Sequence, residues 1–540
     1  MLKLSDIKLP VDYTEETVKN EIAKKLNIPE TAVKSFEFVK LSVDARKKND
    51  VHYNAAVKFS PDNRIVSEKN IINSKKNQKT KAEYASDSRY TIKISGSLKK
   101  DFPSPVIVGA GPAGLFCGLV LAQLGLKPVI LERGKCVEER QKDVVSFWKT
   151  GRLNINSNVQ FGEGGAGTFS DGKLNTGTKD VRIKKVLEEF VSHGAPKEIL
   201  YNSKPHIGTD KLPEAVKNIR KDIIGLGGKV LFEHTLTDID IRDGVVKGIT
   251  VKTKSGYERM ECENLVLALG HSARDTFEML VNKKIPVQQK AFSVGVRIEH
   301  LQSMINKAQY GSFAGKGKLG AADYKLAVHL ENGRGVYTFC MCPGGTVVAA
   351  ASESGHLVTN GMSEFARNGI NSNSALLVGI TPDDFGSSEP LAGVELQRKL
   401  EKKAFELGGG NYNAPVQRAA DFMINKRTVS FGSVVPSYTA GVTMANISEC
   451  LPEYVTVALK EGIVRLGSRL SGFSDGDAIL TAVETRSSSP IRILRDDKSE
   501  SVAVKGLYPC GEGAGYAGGI MSAAVHGIKC AELIAEKAVL

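Results

Sequence analysis

The stretch Val106–Gly125 reads VIVGAGPAGLFCGLVLAQLG and decides the fold of this chain. It joins an apolar strand, a glycine turn and an apolar helix. Gly109, Gly111 and Gly114 form G-x-G-x-x-G. The first glycine allows a tight turn, the second lets the backbone approach a pyrophosphate, and the third lets helix and strand pack closely. A helix that starts at Pro112 would point unpaired N–H groups at the phosphates, so the pattern predicts a dinucleotide clamp.

A second apolar strand, LKPVILER, supports this prediction. It ends at Glu132, which lies 18 residues after Gly114 and is well placed to hydrogen-bond ribose hydroxyls. Because strand, helix and terminal acid are all present, an unrelated glycine-rich turn is the less favoured interpretation.

The other end of the chain indicates which dinucleotide is bound. Val504–Ile534, VKGLYPCGEGAGYAGGIMSAAVHGIKCAELI, reads as a strand, a Gly/Glu/Gly loop and a helix that begins near Gly519. This segment resembles the second flavin-binding motif of the two-dinucleotide-binding-domain flavoproteins of the glutathione-reductase-like GR2 type. The resemblance implies that Glu512, where the family commonly has Asp, holds the ribityl chain of FAD. NLVLALGHSAR at Asn264–Arg274 resembles the family's central strand-to-glycine motif.

Three further segments resemble a bacterial family of FAD-dependent dehydrogenases of mostly unassigned substrate. They are FGEGGAGTFSDGKL at Phe161–Leu174, YTFCMCPGG at Tyr337–Gly345 and ETRSSSPIRILRD at Glu484–Asp496. The resemblance implies an FAD-dependent oxidoreductase that transfers a hydride between a small-molecule substrate and noncovalently bound FAD. Since only one strong G-x-G-x-x-G clamp is present, the sequence leaves open whether NAD(P)H binds transiently as the donor or another donor is used.

The motifs and the glycine-dense loop Gly162–Gly172 together predict the residues that contact FAD. Backbone that carries few side chains can lie against a flat ring or a phosphate. The expected contacts are Gly109, Ala110, Gly111, Pro112, Ala113, Gly114, Glu132, Arg133, Gly164, Gly165, Gly167, Ser170, Asp171, Gly172, Lys173, Gly270, Gly511, Glu512, Gly519, Ile520 and Met521.

Three residues are candidates for catalysis. Arg297 would bind an anionic substrate, and His206, with Asp210 nearby, would act as a general acid or base. For both, an ordinary ion pair or polar contact is the favoured interpretation. Arg486 precedes Ser487–Ser489, and the resemblance implies that this segment lines the flavin ring, where a cation would stabilise negative charge on reduced flavin.

Cys340 and Cys342 stand two apart on a predicted strand, which would put both side chains on one face. They are either a redox dithiol that exchanges electrons with flavin, or small buried side chains before a turn. The buried interpretation is favoured, because cysteine is commonly buried and an i, i+2 disulfide is geometrically awkward. No Cys/His cluster has zinc-ligand spacing, so no metal site is expected.

The expected fold class is α/β, with a Rossmann-like FAD-binding domain, an inserted mixed or antiparallel β-sheet cap and a small N-terminal α+β module compatible with a ferredoxin-like fold. Residues 1–98 are the basic N-terminal module with its linker, and the polar, Lys-rich segment Ser67–Arg89 is a linker or an excursion. Residues 99–290 are the first part of the FAD-binding domain, 291–438 the inserted cap or substrate domain, and 439–540 the C-terminal part of the FAD-binding domain.

Composition fits a large cytoplasmic enzyme. The 540 residues are 41% hydrophobic, yet no apolar run approaches the ~18 residues of a membrane span and no signal-peptide core begins the chain. The net charge is +13, and residues 1–100 hold 21 Lys and Arg against 13 Asp and Glu. This module could contact nucleic acid, but it lacks an aromatic stacking signature and a solvated basic face is favoured. The competing hypotheses are a tRNA-modifying flavoprotein and a non-catalytic flavin-binding redox sensor.

Overall fold

The computed structural model describes residues 1–86, 90–92, 96–99 and 101–539. The N-terminal region is an antiparallel sheet packed against α1. Its elements are β1 (Leu2–Leu9), α1 (Glu15–Leu26), β2 (Val33–Asp44), β3 (His52–Pro61), α2 (Glu68–Asn73) and β4 (Glu83–Tyr84). A capping box between Thr14 and Thr17 starts α1, and Val18 and Ile22 bury its apolar face. The β-α-β-β-α-β connectivity and the strand order β2-β3-β1-β4 are ferredoxin-like, as predicted.

Of the two interpretations of Ser67–Arg89, the structure shows an excursion of the N-terminal module, not a linker, over the first part of the segment. Ser67 caps α2, Ile71 is buried in the core of the N-terminal sheet, and β4 pairs with β1 at the edge of that sheet. The polar composition is misleading because α2 buries one side chain only and both residues of β4 are exposed. The predicted linker ends at Arg89, which lies outside the described residues.

The parallel-sheet region follows and carries the clamp. Its elements are β5 (Val106–Val108), α3 (Pro112–Gln123), β6 (Val129–Glu132), α4 (Val137–Thr150), α5 (Arg182–Ser192), α6 (Leu212–Gly225), β7 (Lys229–Phe232), β8 (Thr235–Arg242), β9 (Val245–Thr253), β10 (Gly256–Glu261), β11 (Leu265–Leu267) and α7 (Arg274–Asn282). Strands β8 to β10 form a separate antiparallel sheet.

The cap region is inserted next. Its elements are β12 (Val287–Gln289), β13 (Phe292–Leu301), α8 (Gln302–Tyr310), β14 (Ala327–His329), β15 (Gly335–Cys342), β16 (Thr346–Ala349), β17 (Thr359–Met362), β18 (Asn371–Ile380), α9 (Ala392–Leu407), β19 (Ala414–Arg418), α10 (Ala419–Met423), β20 (Val442–Met444), α11 (Glu453–Gly467), β21 (Ile479–Glu484) and β22 (Ile491–Ile493). Paired strands β12 and β22 carry the chain out of the parallel-sheet region and back.

The chain completes the parallel sheet with β23 (Leu507–Pro509) and α12 (Ile520–Lys537). The strand order is β23-β11-β5-β6-β7, and all neighbours are parallel. Ile107 packs on one face with α3 and α12, whereas Val106 and Val108 pack on the other with β8 and β9. Such a sheet, covered on both faces, is the predicted α/β architecture.

The cap sheet extends beyond its predicted end. Its order is β14-β15-β18-β13-β21-β19-β20, and only the β19–β20 pair among these neighbours is parallel, so the prediction of a mixed sheet is confirmed. The boundary at residue 438 is wrong, because β20 and β21 belong to this sheet and Val455 and Leu459 of α11 enter its core. Within the described ranges, no helix is long and apolar enough to cross a membrane.

Gly114 offers a test of how closely α3 rests on the turn after β5. A Cβ at Gly114 would penetrate the carbonyl oxygen of Gly109. We expect Gly114→Ala to lower the free energy of unfolding by about 3 kcal/mol, because the backbone itself must shift, and urea unfolding measures this. Gly225→Ala is the control, since a Cβ there meets no atom within 4 Å. Equal urea midpoints for the two variants would contradict the close packing.

Candidate dinucleotide and substrate site

Two helices of the parallel-sheet region direct their N-termini into one cavity. α3 begins after Gly111 and α12 begins after Gly519, and neither of these two N-termini carries a side-chain cap. Both glycines line a cavity of about 320 Å³. The free N–H groups and the positive ends of both helix dipoles suit phosphates and electron-rich ring atoms. The cavity therefore has the polarity that a dinucleotide needs.

Glycines shape the walls of this cavity. Gly109 has φ +104°, and a Cβ there would lie 2.5 Å from the carbonyl oxygen of Ala268, so only glycine fits the turn. At Gly270 and Gly519, which both line the cavity, a Cβ would meet no protein atom within 4 Å. At Gly111 the nearest atom would be 3.8 Å away. The bare backbone leaves room for a ligand to press directly against it.

Glu132 at the end of β6 holds together the backbone segments around the clamp. One carboxylate oxygen accepts the N–H of Ala110 at 2.8 Å, and the other accepts those of Gly134 at 2.9 Å and Gly162 at 3.0 Å. A carboxylate offers about four lone-pair sites, so roughly one remains for a ribose hydroxyl. Since Glu132 also lines the cavity, it is positioned for both these segments and a ligand.

A buried arginine that sequence reasoning missed holds the glycine-dense loop. Arg140 on α4 donates to the carbonyl oxygens of Val159, Glu163 and Gly165 at 2.7 to 2.9 Å. Its guanidinium also lies 4.8 Å from the centroid of the Phe169 ring. These contacts wrap the loop around one cation, which gives it a defined shape without long helices or strands. Burial lowers the pKa of Arg140 to about 10, so the cation persists at neutral pH.

Flat side chains lie at the β6 edge of the cavity. The Arg133 guanidinium lies 4.4 Å from the centroid of the Phe161 ring, and both residues line the cavity. Asp275 pairs with Arg133 at 2.9 Å, and Thr276 accepts a hydrogen bond from it at 3.1 Å. A guanidinium fixed in this way presents a planar surface on which an adenine can stack.

Glu512 faces the cavity from the loop after β23, at the opposite edge of the sheet. Burial raises the pKa of Glu512 to about 7, with Lys290 acting in the other direction. No hydrogen bond from another described residue contributes to this pKa. The carboxyl is therefore open to the hydroxyls of a ligand, and its contact with the ribityl chain stays a prediction.

Arg486 lines the cavity and is held by a buried carboxylate. Its guanidinium binds Glu401 in a bidentate pair at 2.9 and 3.0 Å and donates to Ser272 Oγ at 2.9 Å. Arg274 binds the same carboxylate at 2.7 and 2.9 Å. Burial alone would raise the pKa of Glu401, but the two arginines hold it well below its usual range. A fixed cation in the cavity wall can stabilise negative charge on a bound ring.

The cap contributes a wall with an ionisable group. Phe339, Cys340, Asn360 and Glu484 line the cavity from the cap region. Burial raises the pKa of Glu484 to about 7, against the opposing effect of Arg297, whose Nη1 lies 3.4 Å from the carboxylate. A carboxyl with such a pKa can exchange a proton near neutral pH.

The structure brings most of the predicted residues to this cavity. Those that line it are Gly109, Gly111, Pro112, Ala113, Glu132, Arg133, Gly165, Gly167, Ser170, Lys173, Gly270, Arg486, Glu512, Gly519 and Ile520. The predicted FAD contacts that lie behind the lining are Ala110, Gly114, Gly164, Asp171, Gly172, Gly511 and Met521. These residues support the cavity wall from behind. For example, the Gly164 N–H donates to the Ala110 carbonyl oxygen at 2.8 Å.

His206 and Arg297 also lie outside the lining. His206 Nε2 donates to the carbonyl oxygen of Phe365 at 3.0 Å and its ring stacks on that phenyl ring, while Asp210 accepts the N–H of Phe365 at 2.7 Å. Arg297 is fully buried beneath the cavity and donates to the carbonyl oxygen of Cys340 at 3.0 Å. Both residues make the ordinary polar contacts that were the favoured interpretation.

Several residues that line the cavity were not predicted, although they stand inside or beside quoted motifs. Glu484 begins ETRSSSPIRILRD, Phe161 begins FGEGGAGTFSDGKL, and Ser272 lies within NLVLALGHSAR. Proximity to a motif is the signal that could have found them. Which side chains of a motif face the cavity depends on the fold and cannot be read from the amino-acid sequence of the motif.

Comparison with known proteins agrees with this geometry. Residues 291–487 match the family described as FAD-dependent protein, C-terminal domain-like, and residues 1–60 match a domain of unknown function. The cap region matches an FAD-dependent family, and the clamp below it has the geometry of a dinucleotide site. The protein is therefore a flavoenzyme, with FAD as its cofactor. The chain is 50% identical over 537 residues to an uncharacterized protein of Clostridium beijerinckii, and the match covers 99% of each chain. It therefore belongs to the same family as that clostridial protein.

Remote similarities to solved flavoproteins were also found. A flavin-dependent brominase is similar at a TM-score of 0.36 and 14% identity, over 81% of this chain and 79% of the brominase. Glycine oxidase from Bacillus cereus is similar at a TM-score of 0.31 and 13% identity, over 81% of this chain and 96% of the oxidase.

Glu401 allows a test of how the cap is attached. We expect Glu401→Gln to lower the free energy of unfolding by about 3–5 kcal/mol at neutral pH, because two buried guanidiniums lose their counter-charge. Because the pKa of Glu401 is depressed in the folded state, this difference is full above pH 4.5 and shrinks as the pH falls. Urea unfolding at several pH values measures it.

Glu395→Gln is the matched control on the same helix. Glu395 is 65% exposed and pairs with Arg398, so its loss should change stability by less than ~1 kcal/mol. If the two variants were equally stable at neutral pH, the buried carboxylate would not be what fastens the cap.

Proposed function

We propose that this protein is an FAD-dependent oxidoreductase of the two-dinucleotide-binding-domain, GR2 type, which transfers a hydride between a small-molecule substrate and noncovalently bound FAD. The observation that carries the proposal is the continuity of the cavity. It runs from the clamp around Gly111 and the start of α12 to the cap wall with Glu484. A substrate held by that wall would lie against the flavin end of the cofactor.

The residues that line the cavity have different roles in such a reaction. Bound FAD supplies a ring that accepts or releases two electrons and a proton. Glu484 takes a proton from the substrate, or returns it, at a carboxylate oxygen whose pKa is raised by burial into the neutral range. Arg486, held in place by Glu401, presents positive charge to the ring. Phe339 contributes an apolar side chain to the cavity wall.

A second, more open cavity supports a route to the flavin end. It is lined by Arg334, Tyr337 and Asp384 and shares Phe339 and Ser487 with the flavin cavity. Because Phe339 belongs to the cap wall, a small molecule bound here would reach that wall without crossing the clamp. Either the substrate or a transiently bound NAD(P)H can use such a path, because the clamp itself is committed to FAD.

Anaerobic reduction of the flavin tests the donor. We expect the purified yellow protein to release FAD on denaturation and to lose its flavin absorbance on mixing with NADH or NADPH. A metabolite screen then follows the return of absorbance. Failure of both nucleotides to bleach the flavin would remove NAD(P)H as donor. Failure of every metabolite as well would favour the non-catalytic redox sensor.

Glu484→Gln tests the proton transfer. We expect kcat/KM to fall by about 10²-fold and the pH dependence near 7 to disappear, while the FAD content stays unchanged. The pH profile is the deciding measurement, since a merely structural role would leave its shape intact. Glu453→Gln, an exposed acid at the start of α11, is the control and should retain the wild-type profile.

The tRNA-modifying alternative depends on the basic N-terminal module. Its cations include Lys3, Lys8, Arg46 and Arg64, and each of these four pairs with an acidic side chain. Pairing weakens their attraction for phosphates, which favours the solvated basic face. We expect no retention of tRNA by the protein in gel-shift assays at low salt. Retention that falls steeply with salt would support the RNA-modifying function instead.

A further inference from the structure

The strand that carries Cys340 is irregular at the cavity wall. On β15, the residues Phe339 and Cys342 pair with Ala375 and Asn373 of β18, so β15 uses three steps where its partner uses two. This is a β-bulge, and Cys340 sits in it with φ +42°. In bulges with a left-handed first residue, that residue is usually glycine. A cysteine is therefore kept in a backbone conformation that glycine would adopt more easily.

Because of the bulge, Cys340 and Cys342 do not stand on the regular strand from which a shared face was predicted. Cys340 lines the flavin cavity, whereas Cys342 is fully buried behind it. The Cys342 thiol lies 3.3 Å from the Cys340 carbonyl oxygen, and both thiols are free. A flat strand places the Cα atoms of residues i and i+2 about 6.6 Å apart, near the upper limit for a disulfide. The bulge departs from this flat-strand geometry, so the objection drawn from a regular strand does not apply to Cys340 and Cys342.

Two cations hold this segment. Lys173, which lines the cavity, donates to the carbonyl oxygen of Met341. Arg297 Nη2 lies 3.0 Å from the Cys340 carbonyl oxygen and 3.7 Å from Cys342 Sγ. A hydrogen bond from the Cys342 thiol, together with these two cations, lowers the pKa of Cys340 to about 6. The same contact and burial raise the pKa of Cys342 well above its usual value, so Cys340 is the more acidic thiol of the pair.

We propose that Cys340 and Cys342 are a redox dithiol that exchanges two electrons with the bound FAD. When the pair is oxidised, an S–S bond forms between them, the proton of Cys342 leaves, and two electrons and one proton pass to FAD. The reverse step returns the electrons and breaks the S–S bond. The proposal rests on FAD being bound and redox-active, but on no feature of Glu484 or of the substrate. It provides the flavin with a second electron partner inside the protein.

Counting electrons in the holoenzyme tests the proposal. The protein is oxidised with diamide, freed of excess reagent and titrated anaerobically with dithionite. We expect wild type to take up four electrons per FAD, and Cys342→Ser and Cys340→Gly to take up two. Mass spectrometry of the peptide that holds both cysteines should show the loss of two hydrogens and no alkylation. Two electrons per FAD in wild type, with both cysteines alkylated, would overturn the dithiol.

The variants separate redox chemistry from packing. Cys340→Gly removes the thiol and relieves the backbone, so its melting temperature should equal or exceed that of wild type while two electrons are lost. Cys136→Ser changes a partly buried free cysteine at the start of α4 and should keep the uptake at four electrons. A lower uptake in Cys136→Ser as well would mean that the extra electrons do not come from Cys340 and Cys342.

Alkylation of the apoprotein by iodoacetamide gives an independent reading. The rate at Cys340 should be half-maximal near pH 6 and should move to higher pH in Lys173→Met. Lys179→Met removes an exposed lysine of the same loop and should leave the profile unchanged. A profile centred near pH 9 in wild type would contradict the stabilised thiolate. If metabolites turn over the flavin while uptake stays at two electrons, the dithiol fails and the proposed oxidoreductase function stands.

Discussion

The closure of the cap over the cofactor cavity depends on one buried carboxylate. Glu401 of α9 accepts hydrogen bonds from Arg274 of the parallel-sheet region and from Arg486 after β21. Each of these charges loses its hydration on burial, so the cluster contributes less to net stability than to the choice of one docked arrangement. Since Arg486 and its partner Ser272 both line the cavity, that arrangement also sets the shape of the site.

Local features of the fold were predictable from the sequence because their causes are local. Gly109 and Gly114 are required by a turn and a helix that lie within ten residues of each other. Glu132 follows from the length of one strand-helix-strand unit. Arg140 could not be found in this way. Its partners are backbone carbonyls 18 to 25 residues away, and no pattern of side chains marks a carbonyl that needs a donor.

The cap was less predictable, because its sheet is assembled from distant segments. β13 pairs with β18 and β21, which lie far apart along the chain, so a boundary drawn at residue 438 cut the sheet. The bulge at Cys340 depends on the register between β15 and β18, and alternation along β15 alone predicts a regular strand. His206 and Arg297 were sensible candidates by residue type, yet both are occupied by structural hydrogen bonds.

Arg297 acquires its importance from where the cap sheet places it. It stands on β13. Its guanidinium contacts Glu484 at the end of the neighbouring strand β21, and Cys342 at the end of β15, which lies beyond β18 on the other side. The carboxyl and the thiol pair therefore share one buried cation. Negative charge on the reduced thiol pair raises the pKa of Glu484, because two negative groups compete for the same positive charge. A disulfide carries no charge, so oxidation of the pair would ease ionisation of Glu484. The arginine thereby couples the proton-exchanging wall of the cavity to the sulfur atoms beside it.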